Sequence, residues 1–169
     1  MWEESCTGKP LFPDLGIECE GKELRVNKAI LCLQLGVFKD MLTKDETAGG
    51  RITLTDICLI VLQAMLCFMY KRDYTYSLAS QIPEIVFHIR VCTAAVRYTV
   101  PGPKFLALEK LRKAACTDRL RNLDDFVSAF REVYTVGSKP DWVLHWVMIE
   151  VAVINAARLN GRRRFATML

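Results

Sequence analysis

The stretch LRVNKAILCLQLGVFKDML, residues 24–42, decides the fold, because its hydrophobic pattern changes period partway along. Leu24 and Val26 alternate with polar residues, which is typical of a half-buried strand. From Lys28 onward the apolar residues recur at spacings of three and four, which predicts a helix. Asn27 lies between the two patterns, and its side-chain amide is suited to capping the first free N–H groups of that helix. The sequence therefore predicts a strand that leads directly into a short helix covering it.

Two further segments have the alternation of strands. The segment DLGIECEG, residues 14–21, precedes a short turn and predicts a tight antiparallel hairpin with the strand at residues 23–27. The segment RITLTD, residues 51–56, predicts a third strand whose partner the pattern does not identify. Thr55 is expected to cap a helix from Asp56 to about Tyr70. That helix is apolar nearly all round, which predicts a central position.

The remainder of the chain has helical periodicity. Predicted helices cover residues 84–99, 104–117 (after a break at the PGP of residues 101–103), 123–134 and 142–159. This order of elements predicts an α+β fold with a small three-stranded sheet at one end of a helical cluster and additional C-terminal helices. We expect an N-terminal segment (1–13), a main domain (14–117), a C-terminal helical extension (118–161) and a basic tail (162–169).

Cysteines and hydropathy indicate the compartment. The seven cysteines are odd in number and no two have CxxC spacing, so we expect buried thiols in a reducing compartment. The N-terminus does not have the pattern of a signal peptide. The most apolar stretch, residues 57–70, is about 14 residues long, whereas a bilayer requires about 20. The prediction is a cytoplasmic or nuclear protein, or one present in both, with no membrane contact.

No catalytic or metal-binding pattern stands out in the sequence. His88 and His145 both lie on apolar helical stretches and are expected to be structural. No phosphate-binding glycine motif and no Cys/His cluster occurs, so we expect no enzyme activity, no cofactor and no metal. One alternative stays open, a cysteine-dependent enzyme that uses Cys92 or Cys116 with one of the two histidines.

Charge leaves a second alternative open. Up to residue 83 there are 9 Lys/Arg and 11 Asp/Glu, whereas from residue 84 onward there are 14 and 8. The second alternative is therefore a basic helical protein that binds nucleic acid through this second half and the Arg162–Arg164 tail. Because acidic residues are interspersed among the basic ones, a solvated helical surface is the favoured interpretation, and nucleic acid is not the expected partner.

The last predicted helix carries unusually many apolar residues. The stretch WVLHWVMIEVAVINAA, residues 142–157, has more of them than one core-facing stripe needs. An additional buried face is implied, either within the chain or between two chains.

Five segments, in order, resemble the BTB/POZ domain family, and in detail the BTB proteins common in filamentous fungi. These segments are DLGIECEGKELRVNKAILC (14–32), VF (37–38), GRITLTD (50–56), MLCFMYKRDY (65–74) and AAVRYTVPGPKFLALEKL (94–111).

The resemblance implies a protein–protein interaction module without activity of its own, forming a homodimer or a heterodimer with another BTB protein. Some family members are substrate adaptors on cullin scaffolds of ubiquitin ligases, and others bring transcriptional corepressors to DNA. Leu42 and Glu46 do not have the spacing of the cullin adaptor motif, so a cullin-type scaffold is a doubtful partner.

The resemblance also implies interaction residues. Dimers of many family members use the first helix region and an N-terminal segment, which correspond here to residues 28–42 and the residues before Asp14. The predicted interface residues are Lys28, Ile30, Leu31, Gln34, Val37, Phe38, Met41 and Leu42. The family's charged pocket corresponds to Asp14 and Lys28. Residues 84–117 are predicted to form a candidate partner surface, with Glu84, Phe87, His88 and Phe105.

Overall fold

The computed structural model describes residues 12–34, 50–77, 80–116, 123–135 and 141–155. Within these ranges three strands form one sheet: β1 (Leu15–Cys19), β2 (Lys22–Val26) and β3 (Arg51–Leu54). The central strand β1 pairs antiparallel with β2 and parallel with β3. The predicted hairpin is thus confirmed, and the third strand has the first strand as its partner.

The hairpin turn consists of Glu20 and Gly21, both with positive φ angles of 49° and 72°. Such angles suit the right-handed twist of the strands on either side. The turn sets a register in which Ile17 faces Leu24, and both side chains are buried on the same face of the sheet. The alternation seen in the sequence therefore separates the core side of the sheet from its outer side.

Helices make up most of the described chain, which confirms the α+β class. They are α1 (Lys28–Gln34), α2 (Leu59–Lys71), α3 (Glu84–Arg97), α4 (Pro101–Cys116), α5 (Leu123–Thr135) and α6 (Trp142–Ile154). Nine residues of α2 are buried, as expected for a central helix. One continuous apolar core joins the inner face of the sheet to every helix through to α6.

The start of α2 differs from the sequence-based expectation. The helix begins at Leu59, and Cys58 at the N-cap makes no side-chain capping bond. The Asp56 carboxylate instead accepts hydrogen bonds from the Tyr98 hydroxyl, at 2.6 Å, and from the Arg97 guanidinium, at 3.1 Å. The prediction that Thr55 caps a helix beginning at Asp56 was wrong, because Asp56 is bonded to the end of α3.

The start of α4 also differs. The helix includes the PGP run and begins at Pro101, where proline is tolerated because the first helical N–H groups have no partner within the helix. Gly102 lies against α2, and a Cβ there would be 2.6 Å from ring atoms of Phe68. The run that was expected to separate two helices is therefore the first turn of the second one.

The cysteines follow the expectation of buried thiols only in part. Cys19 and Cys92 are buried and free, whereas Cys116 is exposed at the end of α4. Cys67, on α2, is disulfide-bonded, contrary to that expectation. None of the helices in the described ranges has the length and apolar character required to cross a membrane.

Candidate interaction surfaces

The junction between β2 and α1 is held by the Asp14 side chain, which precedes β1, and by a side chain of α2. The Asp14 carboxylate accepts a hydrogen bond from the backbone N–H of Lys28 at 2.6 Å, which caps the first turn of α1. The Asn27 side chain accepts a hydrogen bond from the Tyr70 hydroxyl and donates one to the carbonyl of Phe12. Asp14 and Lys28, predicted as a charged pocket, are thus brought together through the backbone of Lys28, and both residues are exposed.

The predicted dimer interface is described only over its first part. Lys28 is exposed and Ile30 is half-buried against the core. Leu31 was wrongly placed in the interface, because it turns toward the sheet and is fully buried within the single chain. Leu33 on the opposite face is 85% exposed, and sequence reasoning did not include it. The Gln34 side chain and residues Val37, Phe38, Met41 and Leu42 lie outside the described part.

Two members of the candidate partner surface lie in the core instead. Phe87 and His88 are both buried, where they contact Tyr74 and Tyr76 from the segment after α2. The Tyr74 hydroxyl lies 3.0 Å from His88 Nδ1. Their placement on a partner surface was wrong, because both rings lie on the inner face of α3 and pack against the segment that follows α2. Of the other two, Glu84 is half-buried and Phe105 is 66% exposed.

Burial also decides the charge of His88. Desolvation lowers its pKa to about 4, and the positive charge of Lys110 acts in the same direction. Glu84, whose Oε1 lies 3.8 Å from His88 Nε2, opposes the shift without cancelling it. The imidazole is therefore neutral near pH 7. This agrees with the prediction that His88 is a structural residue.

The thiol chemistry gives no support to an enzyme that uses Cys92. Desolvation raises the pKa of Cys92 to about 12, the reverse of the shift that activates a nucleophilic thiol. The exposed Cys116 lies at the end of a helix, and the ring of His145 stacks on Tyr134 of α5 with 4.9 Å between ring centroids. Among the described residues no group of three His, Cys, Asp or Glu side chains could hold a metal ion.

A cavity of about 240 Å³ lies between the start of α2 and helices α3 and α5. Cys58 lines it together with two arginines, each of which has an acidic partner. Arg90 donates to both carboxylate oxygens of Glu132, at 2.9 and 3.1 Å, and Arg97 pairs with Asp56. Because the charges are matched, these pairs connect neighbouring elements and leave no net charge for a ligand.

Four of the described basic residues in the second half also have acidic partners. Described ion pairs are Lys104 with Asp141, Lys110 with Asp73, Arg112 with Glu150 and Lys113 with Glu109. A nucleic-acid surface requires cations that are free to meet phosphates. These four helical cations therefore give no support to the nucleic-acid alternative, and the Arg162–Arg164 tail lies outside the described residues.

The outer face of α6 carries the largest apolar side chains exposed on any described helix. Trp142 and Trp146 are 75% and 65% exposed, and Ile149 and Val153 continue the same face. The sequence implied an additional buried face on this helix. Within the single chain that face is exposed.

Comparison with known proteins places the chain in a family. A sequence profile of the BTB/POZ domain matches residues 4–113. The "Longitudinals lacking protein-like" protein of Drosophila melanogaster is 32% identical over 75 residues, which make up 44% of this chain. The chain spans 58% of the length of this curated relative.

Solved structures of BTB domains are also similar. The BTB domain of human gigaxonin is 20% identical with a TM-score of 0.48, over 58% of this chain and 76% of that one. The BTB domain of zebrafish PATZ1 is 16% identical with a TM-score of 0.49, over 66% and 83% of the two chains.

Exposed apolar side chains on α1 and α6 are accessible for contact with other proteins. Because the profile match covers more than half of its 169 residues, the chain belongs to the BTB/POZ domain family. BTB/POZ domains are protein-interaction modules, and many of them dimerise.

Proposed function

We propose that this chain acts by pairing with a second BTB chain, either a copy of itself or a related protein, through the surface of α1. It catalyses no reaction in this role, and it works in the cytoplasm, the nucleus or both as an adaptor that presents its paired surfaces to other proteins. A cullin-type scaffold is not the favoured partner, because the adaptor spacing is missing between Leu42 and Glu46.

The observation that carries this proposal is that α1, in a domain of this family, has one apolar face buried in the core and a second apolar face exposed to water. Leu31 packs into the core on the inner face, while Leu33 on the outer face is 85% exposed to water. Burying such a leucine gains about 1.5–3 kcal/mol. Asp14 and Asn27 hold the start of the helix, so its outer face is in place before any partner arrives.

The test is the molar mass of the purified chain by light scattering over a concentration series. We expect a mass of at least twice 19.3 kDa for the wild type and a lower mass for Leu33→Glu, because a charge at a buried contact opposes association. Phe38→Glu, within the interface predicted from the sequence, should act in the same way.

Val96→Glu is the matched control, because it places the same charge at an exposed apolar position on α3. It should keep the wild-type mass. If both α1 variants retain the wild-type mass and circular dichroism spectrum, α1 is not the pairing surface. A wild type that stays at 19.3 kDa would remove self-pairing altogether.

A further inference from the structure

The exposed apolar residues of α6 form one continuous stripe along the helix. The stripe consists of Trp142, Trp146, Ile149 and Val153, separated by four, three and four residues. This is the spacing at which a helix presents a seam to a second helix. The stripe also lies outside residues 4–113, which match the BTB/POZ profile. A function for this surface is therefore separate from what the family match implies.

The opposite face of α6 is tightly fixed to the rest of the domain. Its buried side chains are Leu144, Val147, Met148 and Val151. At the start of the helix the Asp141 carboxylate accepts hydrogen bonds from the N–H groups of Val143 and Leu144. The stripe is thus part of a rigid surface, and a partner would not have to order it first.

Contacts with α4 fix the direction in which α6 lies. Lys104 pairs with Asp141 at the start of both helices, and Arg112 pairs with Glu150 further along. The Asn155 amide donates to the carbonyl of Ala115 near both ends, so the two helices run parallel. Phe105, 66% exposed, lies one residue after Lys104 and therefore at the level of the first turn of α6.

We propose that this stripe is a symmetric interface with a second copy of this chain, in which the two α6 helices pack antiparallel. The spacing of four, three and four reads the same in both directions. One antiparallel register therefore places Trp142 opposite Val153 of the second copy and, at the same time, Trp146 opposite Ile149 of the second copy.

Side-chain size favours the same arrangement. The two tryptophans lie in the first half of the stripe, and the smaller Ile149 and Val153 lie in the second half. A parallel pair would bring tryptophan against tryptophan and leave space around Val153. In the antiparallel pair each large ring meets a smaller aliphatic side chain, as close packing requires.

The exposed apolar area of the surface approaches the lower limit for a specific dimer. Trp142, Trp146 and Phe105 together expose roughly 400 Å² per chain, if a fully covered aromatic side chain contributes about 200 Å². With Ile149 and Val153 added from both copies, complete coverage of these side chains would bury about 1,000 Å², the lower bound for a specific interface. Glu150 beside the stripe is already paired with Arg112, so no unpartnered charge at this position opposes association.

The first experiment measures the mass of full-length variants by light scattering. Trp146→Lys and Ile149→Lys should each lower the wild-type mass at least twofold. The matched control is Ile154→Lys, which adds the same charge to the same helix at an exposed position beside the stripe rather than on it. This control should leave the mass unchanged. The proposal is overturned if the stripe variants keep the wild-type mass, or if Ile154→Lys lowers the mass equally.

The second experiment tests the register. Trp146→Ile alone removes a ring from the contact and should weaken pairing at least tenfold. Trp146→Ile combined with Ile149→Trp exchanges the large and small partners, so it should restore most of the lost affinity. If the exchange is as weak as Trp146→Ile alone, the antiparallel register is wrong. Circular dichroism verifies the fold of each variant.

These outcomes are independent of pairing through α1. If both surfaces associate, the wild type exceeds twice 19.3 kDa, and Leu33→Glu or Trp146→Lys alone leaves a dimer. If only the stripe pairs, Leu33→Glu has no effect and Trp146→Lys yields a monomer. If only α1 pairs, the reverse holds. In that case the stripe does not bind a second copy, which leaves a helix of another protein or a lipid surface as its occupant.

Discussion

His88 carries no charge at neutral pH because it lies in the core beside Tyr74. Its folded-state pKa of about 4 is below the value of about 6.5 expected in the unfolded chain. The neutral form therefore contributes stability above pH 6.5, and this contribution is lost progressively as the pH falls toward 4.

The corresponding prediction is a loss of about 2 kcal/mol in the free energy of unfolding between pH 7 and pH 5. His88→Gln, which keeps a polar side chain but cannot be protonated, should lose much less over that range. Urea denaturation of both proteins at pH 7, 6 and 5 measures the difference. Identical pH dependence in the two proteins would show that His88 is not the group responsible.

The reactivity of the thiols depends on burial in the same way. Cys92 is buried and its pKa is raised to about 12, whereas Cys116 is exposed at the end of α4. Iodoacetamide should therefore modify Cys116 in the native protein and reach Cys92 only after unfolding. Peptide mass spectrometry after timed labelling distinguishes the two sites. Equal labelling rates in the native state would contradict the buried position of Cys92.

Among the elements, α1 depends on a residue that precedes the hairpin. Asp14→Ala removes the acceptor for the N–H of Lys28 and should cost about 1 kcal/mol of stability, as for other helix caps. Asp14→Asn is the matched control, because its amide oxygen can still accept this hydrogen bond. Urea denaturation of the three proteins provides the comparison. If alanine and asparagine cost the same, capping is not the role of Asp14.

The close packing of α4 on α2 predicts that alanine at position 102 destabilises the protein, although helix propensity alone would favour alanine over glycine. Alanine normally stabilises a helix relative to glycine, but a Cβ at position 102 would overlap the ring of Phe68. Gly102→Ala should therefore destabilise the domain by about 1–3 kcal/mol. Phe68→Leu removes the ring. In the Phe68→Leu background, Gly102→Ala should therefore cost less stability than it does in the wild type. Thermal unfolding of the four proteins completes a double-mutant cycle, and strict additivity would rule out this contact.

For the molecule as a whole, the C-terminal helices share one core with the sheet. Phe126 of α5 and Val147 of α6 belong to the same buried cluster as Ile17 of β1. We therefore expect α6 to unfold together with the rest of the domain. Hydrogen exchange at increasing urea concentration should show amides of α3 and α6 losing protection over the same range. Earlier loss in α6 would indicate that residues after 117 form a separate unit.

The same core explains why the sequence misplaced three of the predicted surface residues. Periodicity shows which face of an element is apolar, but it does not show how many neighbours cover that face. Leu31 and Leu33 are both apolar residues on α1, yet one faces the sheet and the other faces water. Phe87 and His88 were misplaced for the same reason, because the segment after α2 folds over them and has no regular pattern of its own.

The sequence by itself determined the hairpin, the order of strands and helices, and membership of the α+β class. These features depend on residues close together in the chain, where alternation and helical spacing act directly. Its ordered motifs also indicated the BTB/POZ family.

Only the tertiary structure decided the pairing of β3 with β1, the start of α2 and the exposure of the stripe on α6. Each of these depends on contacts between residues far apart in the chain, such as Asp56 with Tyr98 and Arg112 with Glu150. A local pattern shows which side chains of a segment are apolar and can be buried. The packing of the other elements determines which of those side chains are buried.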